Sequence, residues 1–259
     1  ETALADSYER TLFNHMLGTQ DPDSPHGFNC YYTGLSAGAF KQQPVNYFPW
    51  ADPDAYATDY ATFPCDTATG METQAKFADT VYTRDPEGVQ VNLFIPSEVR
   101  YDDAGVTLRQ TTAIPDGETV RVEVVSGEAV FTLRVRVPGW TAGRPLGTAV
   151  PGHLAVRRRW RAGDRLEVTL PMRLDIHPAP DDPSVVALTY GPAVLAGAYG
   201  ADASTALPLL DLGSVHRVTG SALAFQATAD GRQVTLLPLA RTHHQHYTVY
   251  WRAAPARPA

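Results

Sequence analysis

The chain has 259 residues, 44% hydrophobic and 19% charged, a composition that can bury a sizeable core and excludes a disordered chain. Its net charge of −7 and pI near 5.6 argue against a nucleic-acid or anionic-membrane partner, because both depend on clustered basic residues. No stretch approaches the roughly eighteen apolar residues of a spanning helix, and the opening ETALADSYER has neither the basic nor the apolar region of a signal peptide.

That opening has no Met and is already helical in pattern, with Leu4, Tyr8, Leu12 and Met16 at helical spacings, as though cut from a longer chain. Gly18 is the expected residue just past this helix, followed by the breaker cluster DPDSPHG. The two cysteines, Cys30 and Cys65, allow one disulfide but define no framework, and a buried thiol is the simplest expectation for each. Ser36 to Thr62 is rich in Pro, Tyr, Asp and Ala and has no period. Loops of that length are usually functional or packed on a neighbour. Its aromatics Tyr47, Phe48, Trp50, Tyr56 and Tyr60 suit a sugar subsite or a core equally well.

After Gly70 the pattern turns helical. Met71, Ala75, Ala78 and Tyr82 form one stripe, Glu72 and Lys76 make a favourable i, i+4 pair, and Thr67 and Thr69 are candidate caps. Cys65 and Asp66 then fall in the loop just before a helix N-terminus, where unpaired N–H groups and the macrodipole favour a thiolate. A thiolate is both a nucleophile and a soft metal ligand, and the adjacent carboxylate is a second donor that zinc accepts. Two neighbouring donors do not close a tetrahedral site, and no CxxC or HxxxH lies nearby. Glu72 and Asp79 are seven apart, roughly 10 Å by helical rise, which is wide for a retaining carboxylate pair.

From about Glu87 the period becomes two. Val89, Val91, Leu93 and Ile95 share a face, as do Val120, Val122 and Val124, and as do Phe131, Leu133, Val135 and Val137 opposite Thr132, Arg134 and Arg136. Turn signals at Pro115-Asp116-Gly117 and Ala162-Gly163-Asp164 separate the runs, the pattern of an antiparallel β-sandwich. Arg157-Arg158-Arg159 reads as a solvated strand face. Near Val185 the run VVALTYGPAVLAGA is too apolar for a half-exposed strand, and Pro178 to Pro183 is the natural joint before it. On a terminal strand His244 and His246 share a face while His243 points away, with no carboxylate to complete a metal set.

The segment CDTATGMETQAKFADTVY resembles a motif of glycoside hydrolase family 127, the β-L-arabinofuranosidases and their relatives. There a CC pair precedes a GTG-M/L-E helix start and a later K..D.IY. Cys65, Thr69, Gly70, Met71, Glu72, Lys76, Asp79 and Tyr82 stand in place. The segments VNLFIPSEV, LRVRVPGW, RRWRAGDRLEVTLPMRL, VALTYGPAVLAG and HHQHYTVYW follow in the family's order, so the resemblance covers nearly the whole chain.

The resemblance implies a mixed fold: the last helices of an (α/α)6 barrel over 1–85, then mainly antiparallel β-sandwich domains over 86–180 and 181–259. It implies retaining glycoside hydrolysis of an arabinofuranoside-containing glycan, with a zinc-held cysteine nucleophile and a glutamate acid/base. By motif, Cys65 matches the nucleophile and zinc ligand, and Asp66 stands where the second cysteine ligand usually is. An oxygen donor there weakens the preference for zinc over other divalent ions. FNCYYTGL resembles an aromatic-rich family segment, making Tyr31 the substrate-binding candidate, with Gly34 in place of the usual proline. Glu72 is the candidate hydrogen-bonding partner of the metal ligands. The family's acid/base glutamate and its remaining ligands fall before residue 1, and Cys30 matches no ligand position. A homodimer is compatible with these features. The alternatives are a non-catalytic carbohydrate-binding or structural β-domain with Cys65 merely buried, and, less favoured, a Cys–His hydrolase.

Overall fold

The computed structural model describes residues 2–23, 30, 33–41, 65–141, 152–202, 205–220 and 222–253, with the side chains at 65–67 and 71 left aside. Two compact units emerge: residues 1–9 with 74–173, and residues 10–73 with 174–259.

The chain opens with α1 (Thr2–Thr11), one π-turn over Leu12–Met16, and the single turn α2 (Leu17–Thr19). Gly18, expected just past the helix, is inside α2 and buried. A Cβ there would meet the Ala240 backbone at an ordinary 3.6 Å, and the backbone is helical, so Gly18 is not a left-handed cap and packing does not restrict the position to glycine. The next helix, α3 (Cys65–Val81), begins well before Gly70 and runs through it. Pro64 immediately ahead and Asp66 in the first turn are start signals strong enough to carry one interior glycine, which costs only about 1 kcal/mol. Ala75 and Ala78, expected on the inner stripe, are exposed, while Gly70, Thr73, Phe77 and Thr80 are the shielded positions leading to buried Val81. Phe77 is the bulkiest apolar side chain of the helix, and it sets the inward face.

The first unit contains β1 (Tyr82–Asp85), β2 (Gly88–Val91), β3 (Ser97–Tyr101), β4 (Val106–Thr112), β5 (Thr119–Ser126), β6 (Glu128–Arg136), β7 (His153–Arg161) and β8 (Arg165–Thr169). They form two four-stranded sheets, ordered β1-β2-β6-β7 and β3-β4-β5-β8. All pairings are antiparallel except β2 with β6. The sheets meet where Tyr101 of β3 packs against Phe131 of β6 at 5.7 Å, and Phe131 in turn lies 5.9 Å from Trp160 on the neighbouring strand β7. Val120, Val122 and Val124 are buried as their alternation requires, and both turn signals join strands. The strand over VQVNLFI stops at Val91, after which Asn92, Leu93 and Phe94 are all buried. Arg157, Arg158 and Arg159 lie exposed on edge strand β7, where Arg159 pairs with Glu128 at 3.0 Å and Arg158 covers the Trp160 ring at 4.0 Å.

The second unit carries β9 (Leu174–Pro178), β10 (Val185–Tyr190), β11 (Ala193–Gly200), β12 (Leu209–Arg217), β13 (Phe225–Ala229), β14 (Arg232–Pro238), β15 (His246–Thr248) and β16 (Tyr250–Ala253). Where a second sandwich was expected, β10 joins one sheet into a ring. Along one edge Val185–Ala187 pair with β16 and Leu188–Tyr190 pair with β11. Strands β11, β14, β13, β12, β16 and β10 are thereby closed on themselves, with β15 and β9 alongside. Closure gives each of these six strands a partner on both edges, although β12 meets β16 only at Leu209 and Leu210. Trp251, Leu188, Leu195, Leu210 and Leu236 fill the interior, and Gly197 gives Trp251 its room, since a Cβ there would lie 2.3 Å from the indole. The segment from Pro178 to Pro183 is the turn between antiparallel neighbours β9 and β10.

Candidate functional site

Cys65 and Asp66 are the first two residues of α3, not part of a loop ahead of it. Their backbone therefore stands in the first turn of a 17-residue helix, where orphan N–H groups and the macrodipole stabilise negative charge. Glu72 is exposed on the same helix, seven residues on from Cys65 and so nearly on the same face, roughly 10 Å along the axis. Asp79 is exposed a further two turns along. Tyr31 and the aromatic run of residues 47–60 lie outside the described residues. Cys30, in contrast, is fully buried, with its Sγ 3.7 Å from Thr33 Oγ1.

Two polar clusters escaped the sequence reading. In the first unit Arg136, placed by alternation on the outer face of β6, is fully buried. Its Nη2 lies 2.7 Å from Glu9 Oε1, its Nη1 binds Asp6, and its Nε donates to Asn92 O at 2.6 Å. Glu9 also accepts from Trp140 Nε1 at 2.7 Å, and Asp6 accepts from Gly139 N at 2.9 Å. Burial raises the Glu9 carboxyl above its ordinary range, and the Arg136 guanidinium works against that rise. The i, i+3 spacing of Asp6 and Glu9 was the available signal: two carboxylates on one helix face call for a cation. A cavity of about 320 Å³ beside them is lined by Tyr8, Thr83, Gln90, Asn92, Arg136 and His153 among others. Since the guanidinium is committed to Asp6, Glu9 and Asn92, it acts there as a clamp.

In the second unit the histidines are divided. His243 and His244 sit in the turn ahead of β15, not on a strand, and His244 adopts a left-handed φ of 55°. His246 Nδ1 lies 2.9 Å from Gly38 O. His244 Nε2 lies 2.9 Å from Asp21 Oδ1 and 4.0 Å from Asp23 Oδ2, so carboxylates do stand beside it, contrary to the sequence expectation. Burial alone would raise the Asp21 carboxyl, but the His244 ring and the Asp23 N–H outweigh it and hold it low. Asp23 is largely exposed, and the closer contact is the one between the His244 ring and Asp21. Buried Lys41 donates to Leu239 O at 2.8 Å and approaches His243 Nε2 at 3.2 Å. Asn14, on the π-turn, accepts from Val194 N at 2.6 Å and donates to Pro192 O at 2.7 Å, fastening the π-turn to the β10–β11 turn.

The family model for the GH127 β-L-arabinofuranosidase catalytic domain matches residues 1–79, and that for the GH127 middle domain matches residues 88–172. No curated protein matches the chain. Among solved structures it is similar to a glycoside hydrolase, with a TM-score of 0.76 at 19% identity over 98% of this chain and 49% of that one. A GH127 β-L-arabinofuranosidase from Geobacillus stearothermophilus T6 gives a TM-score of 0.72 at 18% identity, over 98% and 47% of the two chains. A further GH127 β-arabinofuranosidase gives 0.71 at 20% identity, over 98% and 46%. The chain thus spans about half the length of these structures, and at such identities the likeness establishes the fold. Segments matching two consecutive domains of one family, in order and across well over half the chain, agree with the motif around Cys65. On that agreement of sequence and fold, the chain belongs to glycoside hydrolase family 127.

Proposed function

We propose that this chain is part of a retaining glycoside hydrolase acting on an arabinofuranoside-containing glycan, with Cys65 as its nucleophile. The observation that carries the proposal is the position of Cys65 in the first turn of α3, inside the segment that matches the family's catalytic domain. The Cys65 thiolate attacks the anomeric carbon as the glycosidic C–O bond breaks, and the leaving oxygen takes a proton from an acid/base carboxyl. Water, deprotonated by that same carboxylate, then displaces the sulfur with net retention. In this reading the acid/base and the remaining metal ligands come from upstream sequence. Residues 1–85 are the closing helices of an (α/α)6 barrel, followed by β-domains over 86–180 and 181–259. Tyr31 is assigned to the sugar, and Glu72 to orienting a metal ligand.

Zinc suits the donors present, a thiol and a carboxylate on consecutive residues at a helix N-terminus, although Asp66 supplies oxygen where a second sulfur is expected. Cys65 and Asp66 would hold the ion, which when bound keeps a coordinated sulfur deprotonated at neutral pH. Asp66 also favours a second reading, a β-domain module that keeps the fold and has lost the chemistry. Joining the chain to its natural upstream sequence separates the two readings. Arabinofuranoside hydrolysis and one equivalent of zinc, with hydrolysis lost in Cys65→Ser, support the enzyme; a metal-free, inactive protein supports the module. Full hydrolysis by this chain alone would refute the division of the site.

A further inference from the structure

Lys41 is almost fully buried, and no step of the proposed hydrolysis uses it. Its surroundings are all within the second unit. The Nζ donates to Leu239 O at 2.8 Å, lies 3.2 Å from His243 Nε2, and stands where a Cβ on Gly18 would reach it at 3.8 Å. His243 Nε2 in turn lies 2.7 Å from Ala240 O.

These distances impose a choice of protons. A carbonyl oxygen only accepts, so the 2.7 Å contact to Ala240 needs a hydrogen on Nε2. With that hydrogen in place Nε2 has no lone pair for an ammonium, and Lys41 meets it favourably only as a neutral amine. A charged Lys41 instead needs Nε2 as acceptor, which moves the imidazole hydrogen to Nδ1 and leaves two lone-pair-bearing atoms facing each other at Ala240. The protonation of one residue and the tautomer of the other are therefore mutually exclusive in pairs.

We propose that Lys41 and His243 form a proton-coupled latch, in which protonation of Lys41 switches the His243 tautomer and releases its hydrogen bond to Ala240. The latch closes a join already stitched by backbone and side-chain bonds. Ala39 bridges Tyr247, Tyr247 Oη donates to Gly34 O at 2.7 Å, and Gly38 N donates to Thr248 Oγ1 at 3.1 Å. Opening the latch frees the His243 ring from Ala240 within the stretch that follows β14, while the charged Lys41 keeps Leu239 O and gains Nε2 as an acceptor.

The other titratable groups around the pair are few among the described residues. Cys30 faces Lys41 and Tyr247, Asp21 and His244 face His243, and α2 presents only Gly18. Burial brings Lys41 down to about 8, and burial with the Lys41 charge brings His243 down to about 4. The imidazole accordingly stays neutral while Lys41 titrates, and a tautomer change is not masked by ring protonation.

The test is ¹⁵N NMR of the protein selectively labelled at histidine, recorded from pH 6 to 10, together with the ¹³Cε shift of Lys41. The expected result is an exchange of the His243 Nδ1 and Nε2 shifts between their protonated and unprotonated positions, with one midpoint shared with Lys41. In Lys41→Met the tautomer should stay constant across the range. A His243 tautomer that never changes, or that changes with a midpoint different from that of Lys41, overturns the latch. That second comparison needs only the unaltered protein, so the proposal is decided even if Lys41→Met fails to fold.

Discussion

Glu9 Oε1 and Arg136 Nη2 lie 2.7 Å apart with neither side chain exposed, which makes them a buried ion pair. Removing one partner leaves the other charged and desolvated. Arg136→Met, which strands Glu9 and Asp6 together, is expected to cost about 3–5 kcal/mol. The loss should shrink at acid pH, where the carboxyl can take up a proton. Glu9→Leu combined with Arg136→Met should recover part of the stability. Urea unfolding of the single and double variants measures each value, and an additive double variant would show the two residues to be uncoupled.

The second unit carries a pH dependence of definite sign. Lys41 is brought down from 10.5 to about 8 in the folded state, chiefly by burial. Between these values the unfolded chain holds a proton that the folded chain has released, so stability rises with pH across that window. His243, brought down from 6.5 to about 4 by burial, adds a rise between those two values. Urea midpoints taken from pH 4 to 10 should climb in two steps, and Lys41→Met should abolish the upper one.

The two thiols should differ sharply toward iodoacetamide. Cys65 sits at the N-terminus of α3, and Cys30 has no exposed surface. In native protein one thiol is expected to react, assigned to Cys65 by peptide mapping, with a rate that persists below pH 7 and falls when zinc is added. Modification of Cys30 at a comparable rate would contradict the burial of that residue.

Three glycines should respond in opposite directions to alanine. At Gly18 the new Cβ meets Ala240 at an ordinary 3.6 Å, and helix propensity favours alanine, so Gly18→Ala should be neutral or stabilising by up to about 1 kcal/mol. At Gly88 the Cβ would fall 1.9 Å from Thr132 O on the paired strand, and backbone cannot swing aside. Gly88→Ala is expected to cost about 1–3 kcal/mol or more, and Gly197→Ala a similar amount against the Trp251 ring. Thermal unfolding of the three variants checks the order.

Strand positions, turns and family were all readable in the linear chain. Val120, Val122 and Val124 are buried where alternation puts them, and Pro115-Asp116-Gly117 and Ala162-Gly163-Asp164 turn the chain. The motif around Cys65 named the family that the domain matches then identified. These are local facts: a period of two says which residues share a face, and turn residues act through their own backbone. What covers the opposite face is not local. Arg136 and Thr132 fall on the polar side of β6, yet both are buried, and Lys41 and His243 gave no signal of meeting. Gly18 lies inside α2 facing Ala240 instead of ending the helix, and β10 closes a ring only because it shares one edge between two partners. The tertiary structure decided these points, because each depends on an approach between segments far apart in the chain and on the cost of leaving a buried charge unanswered.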